Sequence, residues 1–225
     1  MRNGKESMED VVLTAVLVVF PLLLAVICHE VAHGWTAEKL GDPTARSLGR
    51  ITLNPLVHID PVGTVILPLI LIVSGSPFLF GWAKPVPVNF GNLRGGRKGM
   101  ALVAASGPMT NLFLAVVSAA LFHWTTAGLP WLPFAESLHE WMGKTVRHMA
   151  LISVKFTLVL MVINLLPVPP LDGGRIMVGL LPRSLAFQLD RLERFGMLII
   201  LILIASGLWS HLVRPVLDVF LRFLL

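Results

Sequence analysis

Five stretches of this chain are apolar enough to leave water, and this constrains the fold more than any other feature. They run from Val11 to about His33, over Val62–Val73 with a weak extension to Phe80, over Met100–Phe122, from about His148 through Leu166 with a resumption to Leu181, and over Phe195–Trp209. A helix needs about 20 apolar residues to cross a bilayer, and several of these runs approach that length. The remaining residues cannot coat a water-facing surface. Only 14% of the 225 residues are charged, against about 25% in a soluble domain, and the mean hydropathy is +0.80. The expectation is an all-α, multi-pass integral membrane protein with the lipid bilayer as its first partner. A single membrane domain is expected over 1–225, with its core at about 11–181 and a C-terminal helix and amphipathic tail at 195–225.

Charge and cysteine usage exclude other classes. The formal charge of +5 fits Lys and Arg gathered in cytoplasmic loops, where they set orientation. The chain carries no phosphate-cradling motif and no DNA- or RNA-binding signature, so nucleic acid is not an expected partner. The single Cys28 rules out an intrachain disulfide. The mixed charge of Met1–Asp10 and the unbroken run from Val11 into His29 predict a retained first helix, not a cleaved signal. Between the apolar runs, Gly41–Pro55 has turn residues at both ends and predicts a strand or hairpin. Gly81–Phe90 alternates Val with Pro, which confines it to an edge strand or an extended loop. An edge strand can pair with an extended peptide.

The chemistry concentrates at His29-Glu30-Val31-Ala32-His33, near the end of the first apolar run. Helix positions i and i+4 share a face, with Cβ atoms about 5–6 Å apart, so two imidazoles there can grip one Zn²⁺. Glu30 follows the first histidine and can take a proton from a metal-activated water. Ionisable groups at membrane depth are expensive and mark function by default. A catalytic zinc site takes three protein ligands and leaves one position open. Asp172, in Pro167-Val168-Pro169-Pro170-Leu171-Asp172-Gly173-Gly174, is the favoured third ligand, because prolines and glycines break the helix where a carboxylate is presented. The competing reading makes Asp172 the cap of the helix that follows. His58 and Asp60 are rival ligands, or line a water path, or sit at the interface. Cys28 reads as a small hydrophobe and His123, His139, His148 and His211 as interfacial residues. Asn111 and Asn164 are amides in apolar helices; each either bridges helices or binds a substrate backbone or an oxyanion. Gly107 lets two helices approach closely.

Together, His29-Glu30-x-x-His33, Ser106-Gly107-Pro108-x-x-Asn111 and Leu171-Asp172-Gly173 resemble the site-2 protease family of intramembrane metalloproteases. The resemblance covers roughly residues 20–180. It implies a three-helix core holding one Zn²⁺ per chain below the membrane surface, with His29, His33 and Asp172 as ligands. It also implies that the substrates are membrane-spanning segments of other proteins. The chain has no room for the PDZ domain that some members carry, which suggests a compact subgroup.

In that family the first and third core helices run parallel, so a spanning 62–80 segment would reverse the fourth apolar region against the first. Val62–Val73 has only 12 residues and suits a re-entrant segment. The expected function is therefore an intramembrane zinc endopeptidase in a prokaryotic cell membrane, opening to the cytoplasmic side. Glu30 is its base, and Asn111, Asn164 and His58 are candidate substrate contacts. A zinc transporter would have no use for Glu30 beside a ligand, and a silent membrane scaffold would need no complete ligand set.

Overall fold

The computed structural model describes residues 8–75, 81–127 and 136–225. The charged N-terminus ahead of Met8 and the extension of the second apolar region to Phe80 lie outside the described residues. Among those described, the chain forms α1 (Met8–Lys39), α2 (Thr44–Ser47), α3 (Leu67–Val73), α4 (Arg97–Thr126), α5 (Glu136–Asn164), α6 (Asp172–Leu180), α7 (Arg183–Arg191), α8 (Gly196–Ala205) and α9 (Leu208–Leu224). No strand occurs among them.

Among the described residues, three helical stretches are long and apolar enough to cross a membrane: Val16–Lys39, Arg97–Thr126 and Trp141–Asn164. At 1.5 Å per residue each reaches about 36 Å or more, against a hydrocarbon core of about 30 Å. Their surfaces suit lipid, since Phe113 on α4 is 65% exposed and Leu102 and Met109 both 59%. The protein is an all-α membrane protein. The fifth apolar region is not one helix. Gly207, at φ +70°, separates the ten-residue α8 from α9.

The chain divides into two compact units. One comprises residues 1–25, 111–163 and 201–225. Small or β-branched residues bring α4 and α5 together there, with Ala115 and Val154 fully buried, as expected where no hydrophobic force separates helix from lipid. Ser118 and Ser153 hydrogen-bond at 2.8 Å, and Arg147 donates to the Thr125 carbonyl at 2.8 Å. The His123 ring donates to the Leu224 carbonyl, tying α9 to the end of α4.

The other unit, residues 26–110 and 164–200, holds the motifs. Gly41–Pro55, expected as a strand or hairpin, instead contains α2 and ends in a 3₁₀ turn at Pro55–His58. Local side-chain bonds outcompete a ladder there. Asp42 Oδ1 accepts from Thr44 N and Oγ1, and Asn54 Oδ1 accepts from Leu56 N. Asp42 is fully buried and also accepts from Asn89 N and Asn92 Nδ2, at 2.7 and 3.0 Å.

Of the two readings for Gly81–Phe90, the edge strand is absent and the loop holds; residues 81–89 carry no regular structure. Pro85 and Pro87 have no N–H to offer, and other donors are engaged within the chain. Trp82 N donates to Gly63 O, Lys84 N to His58 O, Val86 N to Glu30 and Asn89 N to Asp42. The apolar helix Pro61–Val73 begins as a π-helical turn and runs on into α3. Residue 82 lies beside its first turn, because Thr64 Oγ1 also donates to Trp82 O at 2.9 Å.

Candidate metal centre

Helix α1 places His29 and His33 one turn apart on one face. Their rings stand nearly perpendicular, 87° between planes and 4.6 Å between centroids, with the two Nε2 atoms 3.1 Å apart. The third group comes from the first residue of α6. Asp172 Oδ2 lies 3.1 Å from His29 Nε2 and 3.3 Å from His33 Nε2. Asp172 is not the cap of that helix; Leu171 holds the N-cap position, with no side-chain cap bond.

The donor set suits a metal ion. Three atoms bound to zinc at about 2.0–2.1 Å in a tetrahedron stand about 3.3–3.4 Å from one another. The three here form a triangle of nearly that size. Asp172 Oδ2 is buried and has no hydrogen-bond donor, which is costly unless a cation completes the site. The outer surroundings agree. His33 Nδ1 lies 2.8 Å from the Val103 carbonyl. A carbonyl can only accept, so Nδ1 carries the proton and the Nε2 lone pair is left for a ligand bond. Ser106 Oγ donates to the same carbonyl at 2.7 Å.

Helix α4 comes this close because residue 107 is glycine. A Cβ there would stand 2.5 Å from His33 Nε2 and 2.7 Å from His29 Nε2. The small residue expected to let helices approach thus faces the two histidines. Glu30 follows His29, and its Oε2 accepts a hydrogen bond from Val86 N at 2.8 Å.

The other candidates fall elsewhere. Asp60 caps the helix after it, accepting from Val62 N and Gly63 N at 3.0 and 2.7 Å. His58 is 3% exposed, with Nε2 bonded to the Thr52 carbonyl at 2.9 Å. Neither joins the His29, His33, Asp172 group, nor does Cys28. Asn111 is fully buried in α4, and Asn164 is the last residue of α5, where the proline-rich turn begins. The Val103 carbonyl and the Val86 amide carry no sequence signal, being backbone groups that almost every residue possesses. Arg50, which also contacts the 84–85 backbone, belongs to no motif.

Helices that can cross a membrane, with a histidine pair and a carboxylate converging inside one unit, define a membrane protein with a candidate metal centre. The chain is 36% identical over 202 residues to "Putative zinc metalloprotease YwhC" of Bacillus subtilis (strain 168), covering 89% of this chain and 85% of that protein. It is 28% identical over 191 residues to "Putative zinc metalloprotease Rip2" of Mycolicibacterium smegmatis, covering 85% of this chain and 67% of the relative. The protein of the same name from Mycobacterium tuberculosis (strain ATCC 25618 / H37Rv) is 29% identical over 188 residues, covering 84% of this chain and 66% of the relative. No family model matches the chain, and no solved structure matches it. The chain belongs to the site-2 protease family of zinc metalloproteases.

Proposed function

We propose that this protein is an intramembrane zinc endopeptidase that cuts peptide bonds in or near the membrane-spanning segments of other proteins. The observation that carries this reading is the triangle of His29 Nε2, His33 Nε2 and Asp172 Oδ2, with the carboxylate oxygen buried and lacking a donor. These three residues would hold one zinc per chain. When bound, zinc supplies Lewis acidity, lowering the pKa of its water to about 7 and polarising the scissile carbonyl. Glu30 takes the proton of the attacking water on a carboxylate oxygen and returns it to the leaving amine. A substrate helix must first unwind, because its own hydrogen bonds hide its carbonyls. Asn111 and Asn164 are the amides proposed to bind the unwound backbone, and His58 supports the Lys84 backbone through its own carbonyl.

The segment Val62–Phe80 is re-entrant in this reading. The return of Trp82 to Gly63 and Thr64 supports it, as does the length of Pro61–Val73, about 20 Å at 1.5 Å per residue. The active site opens to the side bearing Lys39, Arg46, Arg50, Arg94 and Arg97, the cytoplasmic face of a prokaryotic cell membrane by the positive-inside rule.

The decisive experiment compares membrane proteomes of cells carrying wild type and Glu30→Gln. The glutamine keeps the size of the side chain but cannot take a proton. Uncut membrane proteins should accumulate with the variant, while purified variant and wild type each retain about one zinc. Equal proteomes would sink the enzyme reading. Loss of zinc from Glu30→Gln would make Glu30 a ligand and favour a transporter.

A further inference from the structure

Arg50 is 8% exposed, a costly place for a guanidinium. No carboxylate among the described residues pairs with it, and its Nε is buried without a partner. Its Nη2 donates to the Lys84 carbonyl at 2.8 Å and to the Pro85 carbonyl at 3.3 Å. The N–H of that second peptide group belongs to Val86, and it donates to Glu30 Oε2 at 2.8 Å. One peptide group therefore has a cation at its carbonyl end and a carboxylate at its amide end. Hydrogen bonds linked in this way polarise one another and strengthen.

The surroundings hold this peptide still. Pro85 and Pro87 lock their own φ and confine Lys84 and Val86 to extended conformations. Lys84 N donates to the carbonyl of buried His58 at 2.9 Å. The Val86 side chain, 7% exposed, sits in a notch left by Gly34, next to His33. A Cβ at position 34 would stand 2.9 Å from Val86 Cγ1 and 3.0 Å from Ala45 Cβ. Nothing in this arrangement serves zinc directly; every part of it bears on Glu30.

We propose that Arg50 is a positioning residue for the proteolytic base, acting through the Pro85–Val86 peptide to hold Glu30 Oε2 and leave Oε1 to receive the proton. The proposal rests on the reading of Glu30 as the base, and its test has one arm that needs no turnover. In that arm, hydrogen exchange of the 81–93 segment is followed by mass spectrometry in the full-length, zinc-loaded protein. Val86 should exchange roughly tenfold faster in Glu30→Ala and in Arg50→Gln than in wild type, because either change breaks the bridge. In the second arm, cleavage of a single-span fusion reporter is measured. Arg50→Gln should lower kcat about tenfold or more with KM within about twofold and zinc content unchanged, and Arg50→Lys should recover part of the loss. Unchanged exchange in Glu30→Ala overturns the bridge, and a loss that falls on KM or on zinc overturns the positioning role. A wild type that cuts no reporter counts against the protease reading itself, while the exchange arm still decides the bridge.

Discussion

The imidazoles at 29 and 33 occupy the space that any side chain at 107 would need. Gly107→Ala puts a methyl within 2.5–2.7 Å of both Nε2 atoms, closer than real Cβ contacts, so rings or helix must shift. Zinc affinity should fall about tenfold or more, as for a disturbed ligand orientation, when titrated against a competing chelator. Affinity equal to wild type would mean that α4 does not press on the pair. His29→Ala, His33→Ala and Asp172→Ala each remove a proposed ligand and should lower metal content by elemental analysis to well under one zinc per chain. Full zinc in Asp172→Ala, with loss in His58→Ala or Asp60→Ala, would relocate the third ligand.

At the scale of elements, the connections between helices are organised by side chains. Asp42 ties α2 to the 89–92 segment. Burial pushes its carboxyl up, but hydrogen bonds from Thr44, Asn92 and the Asn89 amide outweigh this and hold it below the usual carboxylate range. The stability it contributes is therefore complete above the ordinary Asp value of about 4 and is lost as pH falls through the lower folded value. Asp42→Asn turns a donor toward donors and should destabilise the protein at pH 7 by about 2 kcal/mol or more. Thermal unfolding in detergent should show that difference shrinking as pH drops below about 4. A gap that stays constant with pH would mean the carboxylate charge is not what matters. The proposed re-entry of Val62–Phe80 is tested by cysteines at Arg46, Arg97 and Lys144 in a Cys28→Ser background. An impermeant thiol reagent should reach 46 and 97 from one side of sealed vesicles and 144 from the other. Labelling of 46 and 97 from opposite sides would make Val62–Phe80 a full span.

For the whole molecule, a metal that binds only the folded state stabilises it. Removing zinc leaves two imidazoles and a carboxylate crowded within 3.3 Å, so chelation should lower Tm by several degrees, and added zinc should restore it. Unchanged Tm in scanning calorimetry would argue that no metal is bound. Most of what defines the protein was legible in the sequence. Long apolar runs have few stable solutions in a bilayer, since every backbone group must be paired. The i, i+4 histidine spacing puts both rings on one helix face by geometry alone. Asp172, 139 positions after His33, was legible only as a carboxylate misplaced in an apolar, proline-broken stretch. The strand expected at Gly41–Pro55, and the edge-strand alternative at Gly81–Phe90, did not form because β-permissive residues make a ladder only when a partner strand exists. Here Asp42, Asn54 and Glu30 supply competing acceptors from outside any sheet. Composition, helix periodicity and ligand spacing are local properties, and the sequence determined them. Only the tertiary structure decided that Asp172 meets the histidines, that Gly107 faces them, and that Arg50 reaches Glu30 through a peptide group, because these contacts join residues far apart in the chain and no local spacing or periodicity encodes such a meeting.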